Sequence, residues 1–589
     1  MSVDRRSLLR AAAAGGGILG LQALLPAWAQ HGSHGVTAPS MPTLGGTQID
    51  LSVGHTPFAV GGRTGHAITI NGTLPAPLLR LREGQNVRLS VRNTLDADTS
   101  IHWHGLLVPF TMDGVPGISF PGIRPGETFH YEFPVRQAGT FWYHSHSDLQ
   151  EAMGHYGPII IDPADADPVA YDREHVLVLS DWSFIHPHEI MRRLKVQPGG
   201  FNFQRTTVAG LLSGEDRMTL EERAMWGQMR MDPRDVLDVS GSVYTYLING
   251  HGPQENWTGL FRVGERVRLR IINASAMSIF NVRIPGLPMT VVQADGENVR
   301  PVEVDEFQIS VAETYDVIVT PQDRAYTIVS EAIDRSGMGV ATLAPHLGMR
   351  AEVPPLRSVP NLTMRDMGMD MSGGAMAGMD HGAMAGMDHS GMDHGSGAMD
   401  HGAMNMRDPA NAPPDMAVGV GVQTISPMPQ NRMGERPQGL EDVDHCVLVY
   451  TDLVSLRPNA DQRAPSREME IHLTGNMERF MWGFDGRRFS ELVEPIRFER
   501  GERVRVTLVN DTMMAHPIHL HGHFFELVNG HPGHQPLKHT VNVAPGGQVT
   551  FDVTADNPGD WAFHCHLLMH MHAGMFNVVA VRPLDGVAS

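Results

Sequence analysis

Apolar and polar residues alternate with period two in EGQNVRLSVRN (83–93), and the arrangement recurs as VGERVRLRIIN (263–273) and RGERVRVTLVN (500–510). Val87, Leu89 and Val91 fall on one face of the first copy. This predicts a half-buried strand in each copy, ended by an asparagine. A turn pair precedes each one, Asn71-Gly72, Asn249-Gly250 and Asp485-Gly486, as tight hairpins require. Downstream, RPGETFHYEFPV, VAETYDVIVTP and APGGQVTFDVTA correspond, followed by GTFWYHSH, RAYTIVSE and GDWAFHCH. Three copies of one strand plan predict an all-β chain of three Greek-key β-sandwich domains, at 45–165, 166–350 and 440–589.

Two stretches leave this period. In the middle copy, HEIMRRLKVQ through MTLEERAMWGQM, within 184–235, predicts one or two surface helices. His186 and His188 beside it, in HPHE, read as a solvated loop pair rather than a metal site. Residues 351–439 form a linker that encloses a methionine- and histidine-rich run at 364–406. Its glycine and alanine spacers offer nothing to build a core, which predicts mobility without metal.

Composition then narrows compartment and partners. A formal charge of -20 over 589 residues repels polyanions and excludes a nucleic-acid partner, while attracting cations. Two cysteines, Cys446 and Cys565, are too few to staple a chain this long. Cys446, in DHCVLVY, reads as a buried strand residue. The start DRRSLLR, an apolar run and a small-residue pattern ending at Ala27 and Ala29 mark residues 1–29 as a twin-arginine export signal, hence the periplasm. The run is short and broken by glycines and Pro26, so stable membrane insertion is not expected.

Candidate chemistry sits at four histidine clusters, HWHG (102–105), HSH (144–146), HPIHLHG (516–522) and HCH (564–566). Residues i and i+2 of a strand face the same way. His564 and His566 therefore serve one site while Cys565, between them, faces another. For the cysteine's own site the candidates are His516, Cys565, His570 and Met575; two imidazoles, a thiolate and a weak thioether describe a blue copper electron-transfer centre. Met569 reads as core packing. The four alternating pairs, His102 with His104, His144 with His146, His519 with His521 and His564 with His566, predict a multinuclear cluster between the first and third domains. The middle copy, with Val329, Ser330 and Glu331 at the matching strand, acts as a spacer.

These motifs, in this order over most of residues 45–589, resemble the multicopper oxidases, a family of three cupredoxin-like domains. HWHGLLVPFTMDGVPGISFPGIRPGETF and YHSHSDLQEAMGHYGPIIIDP resemble its periplasmic copper-resistance oxidases of the CopA type. The resemblance implies four copper ions: one type 1, one type 2 on His102 and His519, and a type 3 pair on His104, His144, His146, His521, His564 and His566. It implies one-electron oxidation of Cu(I) or a small-molecule reductant such as a phenol, transfer through Cys565 to its histidine neighbours, and four-electron reduction of O₂ to water. Asp113, in MDGVPG, matches an acidic residue of many members and is assigned as a proton relay, with a turn aspartate as the alternative. Met569 stands where many relatives have a glutamate; Asp556 is a substitute, or a loop residue. The repeated Met-Asp-His at 379, 387, 392 and 399 combines donors for Cu(I) and Cu(II) and predicts additional labile copper. A copper-sequestering role is the non-enzymatic alternative.

Overall fold

The computed structural model describes residues 41–214, 216, 218–369 and 406–584. The export signal and the Met-Asp-His repeats lie outside the described residues. The sheets form three β-sandwiches in chain order, as the alternation predicts.

The repeated alternating strand has the same two neighbours each time. Asn86–Asn93 pairs parallel with Gln48–Val60 and antiparallel with Thr128–Pro134. Val267–Asn273 lies between Arg173–Ser183 and Thr314–Val319 in the same senses. Arg503–Asn510 lies likewise between Arg467–Asn476 and Gly547–Thr554. Val87, Leu89 and Val91 are buried, each contributing roughly 1.5–3 kcal/mol of transfer free energy. All three turn pairs adopt positive φ at both residues, from 50° to 78°, the mirror-image turn whose twist matches that of the flanking strands.

The asparagine that ends each strand is fully buried and ties down the following loop. Asn93 Nδ2 donates to the carbonyls of Ala97 and Ile123, Asn273 Nδ2 to Ser278 and Ile309, and Asn510 Nδ2 to Met514 and Val543. Each Oδ1 accepts the backbone N–H two residues on, at Leu95, Ser275 and Thr512. Asn93 and Asn510 thereby set the loops that lead into His102 and His516.

The half-buried expectation fails in the middle copy, where Val267–Asn273 is buried on both faces. The polar positions, Arg268 and Arg270, point not to water but against the first sandwich. Asp316 Oδ2 accepts from both guanidinium groups, at 2.7 and 3.0 Å, and from Thr140 Oγ1 at 3.0 Å. Glu174 bridges Arg270 to Arg80. Paired buried charges of this kind are costly to break on one side only.

Among its described residues the insertion holds three α-helices rather than one or two: α1 (Pro187–Val196), α2 (Val208–Ser213) and α3 (Leu220–Met229). It is not purely superficial, because Ile190, Leu194 and Trp226 join the main hydrophobic core. A capping box between Thr219 and Glu222 starts α3. Two further expectations are corrected. Cys446 is exposed and outside any strand, because only Val447 and Leu448 of its apolar run turn inward. Both cysteines are free. At both described ends of the 364–406 run the expectation of mobility gives way to packing, Met406 being buried. Met364–Met367 form a 3-10 turn with Met367 buried and Asp366 2.7 Å from Arg432. Among the described residues no helix is long and apolar enough to cross a membrane.

Candidate metal centre

Cys565 ends the strand Gly559–Cys565, which pairs with His516–Leu520 so that Ile518 faces Cys565 and His519 faces His564. A short helix, α4 (Leu568–His572), then returns His570. Cys565 Sγ lies 3.6 Å from His516 Nδ1 and 3.9 Å from His570 Nδ1, and the two nitrogens are 3.2 Å apart. All three residues are fully buried. Met575 is equally buried, and its backbone closes the loop: its carbonyl accepts from Cys565 N–H and its N–H donates to the His570 carbonyl.

The outer nitrogens of both imidazoles are already engaged. His516 Nε2 meets Thr512 Oγ1 at 2.8 Å, and His570 Nε2 meets Asp238 Oδ2 at 2.6 Å. Each Nδ1 is thus left facing the sulfur, the division of labour that fixes metal-binding imidazoles. Trp482 stacks on His570 at 3.9 Å. Burial lowers the His570 pKa to about 3 and, with His570 beside it, holds His516 well below its ordinary value. Both rings are neutral and ready to ligate. Burial pushes the Cys565 thiol up, so its ionisation calls for a cation at this spot.

His564 and His566 face away from the sulfur, as alternation requires. The register sets His102 opposite His144, and the eight histidines form one interleaved cluster in which His102 stacks on His521 and His104 on His519, each at 3.8 Å; within it two triads and a pair can be drawn. His104, His144 and His566 have ring centroids 4.9–5.6 Å apart. His146, His521 and His564 are 5.0–5.2 Å apart. His102 and His519 are 5.8 Å apart. Buried ring nitrogens without a hydrogen-bond partner are found on His102, His104, His144, His146, His519 and His566, while His521 Nε2 and His564 Nε2 face each other at 3.1 Å. Unpartnered buried polar atoms are costly, and here they converge, so the donor set fits metal ions. The opposite nitrogens are anchored: His102 on the Asp113 carbonyl, His519 on the His539 carbonyl and His564 on the Cys565 carbonyl.

Asp113 is buried against this cluster. Its Oδ2 accepts from His521 Nδ1 at 2.9 Å and its Oδ1 lies 3.2 Å from His102 Nδ1. Gly114 makes this seat possible, because at φ 84° it leaves room for the Ile101 carbonyl, which a Cβ would strike. Asp113 thus occupies a turn and faces the histidines at the same time. Asp556 is exposed, with its N–H on Thr554, and serves a loop. Met569 is core, its N–H directed at Met277 Sδ.

Besides Thr512, three residues escaped the sequence reading. Glu151 Oε2 holds His144 Nδ1 at 2.7 Å in a buried pair. Asp238, just past the insertion, holds His570, so the middle sandwich is more than a spacer. His539 packs at 4.8 Å from His104 and 5.4 Å from His519. None lies in an alternating histidine pair, which was the only signal available.

Comparison with known proteins agrees with this geometry. Three multicopper oxidase family models match residues 52–166, 173–346 and 462–585. Copper resistance protein A of Escherichia coli is 47% identical over 99% of this chain and 100% of that one. Copper resistance protein A of Pseudomonas syringae pv. tomato is 48% identical over 98% and 99%. Among solved structures, Fet3p, a multicopper oxidase that functions in iron import, matches with a TM-score of 0.62 at 20% identity, over 92% of this chain and 90% of that one. The fold and the buried histidine–thiolate constellation define a copper-dependent oxidoreductase, and the chain belongs to the multicopper oxidase family.

Proposed function

We propose that this enzyme works in the periplasm, oxidises Cu(I) one electron at a time, reduces O₂ by four electrons to water, and so serves copper resistance. The position of Cys565 carries the reading: its sulfur belongs to one group of ligands while its chain neighbours, His564 and His566, belong to two others. His516, Cys565, His570 and Met575 would hold type 1 copper, His102 and His519 type 2, and the two triads the type 3 pair. Bound copper supplies a reversible one-electron couple and a place for dioxygen to bind.

The chain's own residues do the rest. Cys565 and its peptide links give a covalent route between the sites. Asp238, Thr512 and Glu151 fix His570, His516 and His144, and backbone carbonyls fix His102, His519 and His564, before metal arrives, and burial excludes water. Asp113, whose Oδ1 accepts no hydrogen bond, is the proton relay beside His521. The net charge of -20, the copper-resistance relatives and the thioether-rich run at 364–406 favour Cu(I) over phenols as reductant, with labile copper collected on that run. The DRRSLLR start supports twin-arginine export.

Oxygen uptake by the copper-replete enzyme tests this. Cu(I) should drive it faster than phenols; rapid phenol oxidation with slow Cu(I) oxidation would mark a general laccase. Copper tolerance in cells should vanish with Cys565→Ser. Tolerance that survives this change but is lost on removing 370–405 would mark a sequestering protein.

A further inference from the structure

Apart from the centres above, a second group of histidines gathers at the surface. A groove of about 300 Å³ runs between the first sandwich and the start of α1, and His55, His66, Asp148, His186 and His188 line it. His66 Nε2 and His55 Nδ1 are 2.8 Å apart across their hairpin. His186 and His188 lie with ring centroids 5.4 Å apart and planes 11° from parallel. His186 Nδ1 accepts the His188 backbone N–H as the cap of α1, which leaves Nε2 for another partner. His188 Nε2 is 2.6 Å from Asp148 Oδ2. All five side chains are exposed, and His186 is within electrostatic reach of His66, His188 and Asp148.

Four imidazoles and a carboxylate lining one open groove do little for stability, since exposed pairs of this kind contribute roughly 0–1 kcal/mol. Within two pairs, however, His188 with Asp148 at 2.6 Å and His55 with His66 at 2.8 Å, the donor separations approach those of ligands sharing one ion, about 3 Å for ligands bound at 2.0–2.1 Å. Imidazole and carboxylate together suit a borderline divalent cation, and affinity for such sites peaks at Cu(II). We propose that this groove is a Cu(II) site, with His186 Nε2, His188 and Asp148 as ligands and His66 and His55 closing the opposite wall. It uses none of the residues of the thiolate centre or the buried cluster and needs no redox step.

Full-length, copper-replete protein, freed of loose metal, is dialysed against CuSO₄ and separately ZnSO₄, in parallel with H186A/H188A and Asp148→Asn. Wild type should hold one more Cu(II) per chain than the double variant. It should also show a nitrogen-coupled paramagnetic resonance signal that the variant lacks. Asp148→Asn should weaken that binding about tenfold, and zinc should bind at least tenfold more weakly than copper. The visible thiolate band checks that each variant is folded; if the double variant loses it, Asp148→Asn and His66→Ala supply the comparison. Equal copper stoichiometry in wild type and folded variants overturns the site, and tighter zinc than copper overturns the assignment to Cu(II).

Discussion

Asp238 and Asp113 do different work with the same carboxylate. Asp238, whose pKa burial pushes up to about 7, leaves His570 a single free nitrogen. Asp238→Ala should weaken copper at the thiolate centre about 10–100-fold, seen as earlier loss of the visible band on dialysis against a chelator; an unchanged dialysis curve would remove its role. Asp113→Asn should keep full copper content yet slow oxygen uptake about 10²-fold or more. Unchanged uptake at full loading would return Asp113 to a turn residue. The eight paired histidines were legible as a group because strand geometry sorts i and i+2 onto one face. Asp238, Glu151 and His539 were not, because each reaches the site from a segment with no ligand periodicity, brought there only by tertiary packing.

Among the elements, the strand-ending asparagines show how a repeated β plan sets the loops that lead into His102 and His516. Asn510→Ala would leave the Met514 and Val543 carbonyls without their donor, at a cost of about 1–3 kcal/mol. Calorimetry should record a melting temperature several degrees lower, together with looser copper at His516. His472, on Arg467–Asn476, meets Asp511 at 2.7 Å and Glu470 at 3.0 Å. Burial opposes its charge, but the two carboxylates prevail and raise its pKa to about 9. A raised folded pKa stabilises fully below the ordinary histidine value of about 6.5 and is lost as pH rises through 9. Thermal melts should show His472→Gln destabilised at pH 6.5 and converging with wild type above pH 9; a gap that widens with pH would contradict this. The strand plan was visible in period-two alternation. The burial of both faces in the middle copy was not, since Arg268 and Arg270 look like solvent-facing residues until Asp316 and Glu174 meet them.

For the molecule as a whole, the histidine cluster joins the first sandwich to the third, so metal binding should be linked to their association. Removing copper with a chelator should lower the melting temperature, and re-addition should restore it; identical melts with and without copper would show the sandwiches hold together unaided. The insertion helices, expected at the surface, bury Trp226 in the core and lead into Asp238, so they help to define one wall of the thiolate centre. The central claim is that Cys565 links electron entry to dioxygen reduction. Copper-loaded Cys565→Ser tests it most directly: the account predicts that the visible band disappears and Cu(I)-driven oxygen uptake falls to background while the eight-histidine cluster keeps its copper. A variant that keeps the band, or consumes oxygen at the wild-type rate, would contradict it.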